Sequence, residues 1–286
     1  MYRTMAYPLY QVAIPDTFPA LGEIPEPPQT LYVRGTLPEP HVKKIVIVGS
    51  RALTEYGAQA CRTLISGLAG APVSIVSGLA LGTDALAHRC ALENKLHTIA
   101  MPGSSICDED IAPRTNAPLA QDILKKNGAL VSEFAPGYTV GRHSFPQRNR
   151  LMAGIADAVI VIQAHERSGT LITARLANEY NRELGVVPHP ITSAEGVGSN
   201  AFLKLGAHPL TAATDILDLV DLPYSQHHLA DLTHDEERIY AQVKTPQSRE
   251  ALARALELSK SQVSTLLSTL ELKGYIREEA GKIRRS

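Results

Sequence analysis

Short apolar runs alternate with amphipathic stretches along most of this chain. Ile45–Val48, Val73–Val76, Thr98–Met101, Ala129–Val131 and Ala158–Ile162 are each long enough for a strand and too continuously apolar to leave one face in water. Between them, apolar residues recur at helical spacing. Two such segments run from Gly57 to Leu68 and from Asp84 to Leu92, with Gly70 and Asn94 just beyond as residues suited to left-handed helix ends. Strand and helix in alternation predict crossover helices and a parallel sheet. The fold class expected is therefore α/β, a Rossmann-like, doubly wound, mostly parallel sheet over residues 42–222.

Both ends break this pattern. Residues 1–41 contain Pro8, Pro15, Pro19, Pro25, Pro27, Pro28, Pro38 and Pro40. Each proline removes a backbone donor, so the segment reads as an extended lead-in. Residues 223–231, which include the pair His227-His228, read as a polar linker. Beyond it, Leu252, Ala253 and Leu256 form a short apolar face, and Leu258-Ser259-Lys260 makes a tight turn. Val263, Leu266, Leu267 and Leu270 then repeat at helical spacing before Gly274. Tyr275-Ile276-Arg277 and Lys282-Ile283-Arg284 flank a turn at Gly281. Helix, turn, helix and hairpin predict a small C-terminal winged-helix domain over 232–286.

Composition narrows the function classes. With 44% hydrophobic and 20% charged residues, the 286-residue chain is globular rather than disordered. Lys+Arg number 28 against 29 Asp+Glu, so any basic site must be local. Cys61, Cys90 and Cys107 are odd in number and widely spaced, which fits neither a disulfide framework nor a metal knuckle. A reducing cytoplasm is expected, with no metal and no cofactor. No apolar run approaches the ~20 residues of a membrane span, and Met1-Tyr2-Arg3 opens no apolar signal core.

The candidate chemistry sits at the ends of the expected strands, where a doubly wound sheet presents its crevice. After the first core strand come Gly49, Ser50 and Arg51: close backbone approach, a hydroxyl, and a planar fork for phosphate or base. The bland alternative is a turn with a surface arginine. The loop from Ser77 and Gly78 to Asp84 opens a helix whose free amides suit an anion, although it carries neither dinucleotide nor nucleotide-hydrolase spacing. Asp84 and His88 read as an i,i+4 structural hydrogen bond and not as a catalytic pair. Arg142-His143-Ser144-Phe145-Pro146-Gln147-Arg148-Asn149-Arg150 gathers three arginines around one aromatic. Arginines neutralise phosphates and a phenylalanine stacks on an unpaired base, so single-stranded nucleic acid suits this run better than duplex. Its alternative is a core Phe145 among solvated arginines. Ser168, Gly169 and Thr170 open a further helix at the same edge, either as an anion site or as plain capping.

Taken in order, Val-Gly-Ser-Arg from Val48, Ser-Gly-Leu-Ala-x-Gly-x-Asp-x-x-Ala-His from Ser77, Ser-Glu-Phe-x-x-Gly from Ser132, Phe-Pro-x-Arg-Asn-Arg from Phe145 and Ser-Gly-Thr-Leu-Ile-Thr-Ala from Ser168 closely resemble the DprA/Smf family. The resemblance spans roughly residues 30–222, and the tail resembles the family's winged helix. It implies a homodimer that binds single-stranded DNA, protects it, and helps load a RecA-type recombinase in natural transformation, without catalysing a reaction. Carried over, the pocket comprises Gly49, Ser50, Arg51, Arg142 and Phe145, with Arg148 and Arg150 lining or bracing its rim. The apolar stretch Ala201–Leu210 is a candidate dimer patch. Three departures stand out: Ala112 replaces an aromatic in a Tyr-Pro-x-x-Asn segment, His189 replaces a glycine, and a family N-terminal helical domain is not expected here. Two other functions compete. A nucleotide phosphoribohydrolase of the lysine-decarboxylase-like group would carry a glycine ladder and a glutamate where this chain has Pro102-Gly103-Ser104-Ser105. A winged-helix regulator with a ligand-sensing domain would be expected to carry more charge than the ten Lys+Arg and eight Asp+Glu of 232–286, a net of +2.

Overall fold

The computed structural model describes residues 7–223, 232–243, 245–272, 275–279 and 281–285, and the chain divides into two units, Met1–Tyr224 and Ser225–Ser286. The first unit is built on a nine-stranded sheet of β1 (Tyr10–Val12), β2 (Leu31–Gly35), β3 (Lys43–Val48), β4 (Val73–Ser77), β5 (His97–Ala100), β6 (Ala129–Ser132), β7 (Ala158–Val161), β8 (Glu183–Val186) and β9 (His208–Pro209). The spatial order is β1-β2-β6-β5-β4-β3-β7-β8-β9. Strands β3 to β9 pair in parallel, while β2 runs antiparallel to β6 and β1 antiparallel to β2. The helices are α1 (Ile14–Thr17), α2 (Glu55–Ser66), α3 (Thr83–Glu93), α4 (Ala117–Lys125), α5 (Ser144–Ile155), α6 (Thr170–Glu179), α7 (Val197–Lys204) and α8 (Ala213–Leu219).

Alternation along the central strands explains the layers. On β3, Val46 and Val48 join a core shared with Leu151 and Met152 of α5 and Ala174 of α6. Ile45 and Ile47 point the other way, into a core with Cys61 and Ile65 of α2 and Cys90 of α3. Both faces are covered, which is why these strands read as unbroken apolar runs. The three cysteines are free and buried, and burial pushes the Cys90 thiol up to about 11.

The lead-in needs correction. Its described part supplies two strands of the sheet, and Leu21, Leu31 and Val33 are fully buried. The prolines fall before or between the strands, so no ladder donor is lost within β1 or β2. One helix end also differs: Asn94 has φ −92 and donates its side-chain amide to the Cys90 carbonyl at 2.8 Å, and Lys95 takes the left-handed conformation at φ 57.

The second unit contains α9 (His234–Gln242), α10 (Arg249–Leu256), α11 (Lys260–Leu272) and a hairpin of β10 (Ile276–Glu279) and β11 (Lys282–Arg285). Thr233 and Glu236 form a capping box at the start of α9. Ile239, Leu252, Val263, Leu267, Leu270 and Ile283 share its core. Gln247 bridges to Ile283, giving the wing a third antiparallel segment that alternation alone did not reveal. Apart from Pro223, the expected linker 223–231 with His227-His228 lies outside the described residues, as do Gly274 and Met1-Tyr2-Arg3. Among the described residues no helix is long and apolar enough to cross a membrane.

Candidate functional site

Strand order reverses at β3, with β4 on one side and β7 on the other. A cleft of about 510 Å³ opens beyond the carboxyl ends of these strands, where a doubly wound sheet presents its ligand crevice. Gly49, Ser50 and Arg51 follow β3; Phe145, Arg148 and Asn149 come from α5; His165, Ser168, Gly169 and Thr170 follow β7; all line it.

The loop after β3 is held tightly against the start of α3. Thr83 donates to the Ser50 carbonyl through its amide at 3.1 Å and its hydroxyl at 3.0 Å. A Cβ on Gly49 would lie 2.4 Å from Thr83 Oγ1, so only glycine allows this approach. The Ser50 hydroxyl closes a local turn, accepting from the Ala52 amide at 3.1 Å and donating to the Ala52 carbonyl at 2.9 Å. Arg51 is left exposed, with its guanidinium carbon 5.1 Å from the centroid of the Phe145 ring and no ion pair among the described residues. Phe145 is half-buried, and Gly103 lies directly against it: a Cβ there would fall 2.9 Å from Phe145 Cδ1.

Helical periodicity sorts the arginine-rich run. With Pro146 tolerated in the first turn, α5 turns Phe145, Arg148, Asn149 and Met152 toward the cleft. Arg148 is 5% exposed and forms the floor, not the rim, donating Nη1 to the Met101 carbonyl at 2.6 Å and Nε to Asn149 Oδ1 at 3.1 Å. Arg150 lies on a different face, paired with Glu133 and outside the cleft lining. Arg142 precedes α5, is exposed and also lies outside the lining, without an ion pair among the described residues.

The two amide-rich segments already find several of their partners within the chain. Asp84 Oδ2 accepts from the Gly78 amide at 3.1 Å and the Ala80 amide at 3.3 Å, so the cradle expected for a foreign anion holds the protein's own carboxylate. Ser77 is buried and donates to the Ile47 carbonyl at 2.7 Å. A Cβ on Gly78 would lie 1.6 Å from Arg148 Nη1, so the glycine makes room for that guanidinium. Burial pushes the Asp84 carboxyl upward, with Arg148 and these amides opposing it; burial likewise lowers Arg148, with Asp84 opposing. At α6, the Thr170 amide donates to Ser168 Oγ at 3.2 Å and the Leu171 amide to the Ser168 carbonyl at 3.1 Å. Ser168 thus closes a local turn ahead of α6, whose N-cap Gly169 has no capping side chain, and the segment contributes a wall to the cleft.

Asp84 and His88 do not bond to each other as expected. The partner of His88 Nδ1 is Thr98 Oγ1 at 2.8 Å, and burial holds this imidazole down to about 3. Asp84 and His165 both line the cleft although neither was singled out for it; the position of His165 just past β7 was the available signal. Of the departures, Asn116 still braces the cleft-side loop by donating to the Leu79 and Ala80 carbonyls at 2.8 and 3.1 Å despite Ala112. His189 has no positive φ, so its backbone does not require glycine.

Comparison with known proteins follows the same outline. A family model described as DNA recombination-mediator protein A matches residues 8–221, and one described as DprA winged helix domain matches residues 225–282. Protein Smf of Escherichia coli is 39% identical over 204 residues, covering 71% of this chain and 54% of that protein. This chain thus aligns with only about half of that relative's length. DNA processing protein DprA of Streptococcus pneumoniae is 36% identical over 212 residues, covering 74% of this chain and 73% of that protein. The crystal structure of the S. pneumoniae protein superposes with a TM-score of 0.68 at 34% identity, covering 74% of each chain. A structure of DNA processing protein A from Helicobacter pylori, described for its single-stranded DNA binding mode, superposes with a TM-score of 0.66 at 31% identity, covering 78% of this chain and all of that one.

Proposed function

This chain belongs to the DprA/Smf family, and on that premise we propose that its cleft beside β3 and β7 binds single-stranded DNA as part of a recombination mediator. The observation that carries the reading is the exposed Arg51 guanidinium over the half-buried Phe145 ring at the switch point of the sheet. Arg51 covers the phenylalanine, so the base contact differs from a bare aromatic shelf. The guanidinium plane offers a stacking surface and a phosphate-neutralising charge at once, with Phe145 holding it in place. Neither feature reads sequence, which suits a protein that must take any strand. The H. pylori relative, whose structure is described for its single-stranded DNA binding mode, supports the assignment. The phosphoribohydrolase reading gains nothing: Gly103 serves as packing for Phe145.

The mediator acts with a RecA-type recombinase in the cytoplasm and as a homodimer. Of the expected dimer stretch Ala201–Leu210, Phe202 and Leu210 are buried in the core, so the proposed contact narrows to Leu205, 74% exposed, with Val197 of α7 lining the same groove. Fluorescence anisotropy with single-stranded and duplex oligonucleotides of equal length tests the core claim. Preference for the single strand without sequence preference is expected. Equal or tighter duplex binding would favour the winged-helix regulator instead.

A further inference from the structure

The loop between β6 and α5 carries a second aromatic surface. Tyr138 stacks on Phe134 with centroids 4.2 Å apart and an interplanar angle of 17°, and Phe134 is itself buried. The tyrosine hydroxyl lies 3.0 Å from His143 Nε2 and 3.1 Å from Ser144 Oγ. Ser144 opens α5 and immediately precedes Phe145; its Oγ also accepts from the Gly141 amide at 2.9 Å. At the other end of the loop, the Gly137 amide donates to Asp110 Oδ2 at 2.8 Å, Gly137 takes φ +79, and the Tyr138 amide donates to the Ala135 carbonyl at 3.1 Å. The ring is thus fixed by its hydroxyl, by one face and by its backbone, yet Tyr138 remains half-exposed.

We propose that Tyr138 is a second base-stacking position, taking an unpaired nucleobase next along the strand from the one held at Arg51 and Phe145. This rests on the single-strand reading of the cleft. A flat aromatic whose ordering cost is already met by the fold binds a π-face with little further entropy loss. The exposed Arg142, between Tyr138 and Phe145 in the chain and without an ion pair among the described residues, supplies the charge a connecting phosphate needs. This gives Arg142 a role outside the cleft lining and lengthens the site by a nucleotide on the α5 side.

Photo-crosslinking the full chain to oligothymidylates carrying a single 5-iododeoxyuridine at successive positions, followed by peptide mapping, tests this. Crosslinks to Tyr138 and to the Arg51–Phe145 region from neighbouring nucleotides are expected. Tyr138→Leu should weaken binding about tenfold, and Tyr138→Phe by no more than about twofold, because the ring and not the hydroxyl does the stacking. Crosslinks confined to the cleft, with Tyr138 untouched, would overturn the proposal and leave the cleft reading standing. So would Tyr138→Phe losing as much affinity as Tyr138→Leu, or a Tyr138→Leu loss matched by a lowered melting temperature, since either makes the residue a structural brace. A wild-type chain that binds no single strand would overturn both readings.

Discussion

At the level of single residues, the cleft rests on a division of labour between neighbouring arginines of opposite fate. Arg148 is buried against Met101, Asp84 and Gly78, where it shapes the floor; Arg51 is exposed and available to a ligand. Sequence proximity to Phe145 favours Arg148, yet the distant Arg51 is the one over the ring. The family resemblance already places both in one pocket, and the fold adds the contact itself, by bringing the end of β3 against the start of α5. Phe145→Ala removes a half-buried ring, so the expected cost in stability is about 1–2 kcal/mol, below the 3–5 kcal/mol of a fully buried phenylalanine. Single-strand affinity should fall further than the folded fraction does, because Arg51 loses its seat. Parallel melting and titration curves check this, and a loss of binding that only tracks unfolding would contradict it. His88 sets a pH dependence. Its imidazole stays neutral in the fold down to about 3, whereas an unfolded histidine takes up its proton near 6.5. As pH falls below about 6.5 the unfolded state therefore binds the extra proton, and stability drops by up to about 1.4 kcal/mol per pH unit until the folded-state value is reached. From pH 7 to pH 5 this group alone should cost about 2 kcal/mol. Urea unfolding of wild type and His88→Gln at both values checks it, and the substitution should flatten the wild-type slope.

At the level of elements, strands were the legible part and loops were not. The runs at Ile45, Val73, Thr98, Ala129 and Ala158 announce β3 to β7 because burial on both faces leaves a continuous apolar signal. β2 was hidden by the prolines around it, and its Arg34 is buried where charge is rarely expected, donating to the Ile106 carbonyl at 2.7 Å and to Asp108 at 2.6 Å. The loop from Gly78 into α3 and the start of α6 at Thr170 carry the right residues for anion binding, but composition cannot say whether a side chain of the same protein already occupies an amide cradle. Asp84 takes two amides of the first, and Ser168 Oγ takes one of the second. Likewise, a run of arginines gives no hint of which face each will take until helical periodicity is imposed from Ser144 onward. Gly78→Ala tests the packing of this loop. The added methyl would overlap Arg148 Nη1, so a stability loss of about 1–3 kcal/mol is expected, with weakened single-strand binding from the displaced floor. Chemical denaturation checks the first effect and anisotropy the second.

Across the whole molecule, 28 basic and 29 acidic residues nearly cancel, so the proposed contact with a single strand has to rest on local charge at the cleft. The exposed Leu205 at the end of α7 makes Leu205→Glu the natural probe: light scattering at concentrations on the order of tens of micromolar should show a dimer for the wild type and a monomer for the variant. A monomeric wild type would remove the proposed dimer contact without touching the cleft. The central claim, that Arg51 over Phe145 is the single-strand contact, is tested most directly by the salt dependence of binding. Each phosphate neutralised on a single strand contributes about 0.7 to the slope of log affinity against log salt. Titrating a fixed oligothymidylate across a salt series should show Arg51→Ala with weaker binding and a slope shallower by about 0.7 than the wild type. An Arg51→Ala protein with unchanged affinity and unchanged slope would contradict the account.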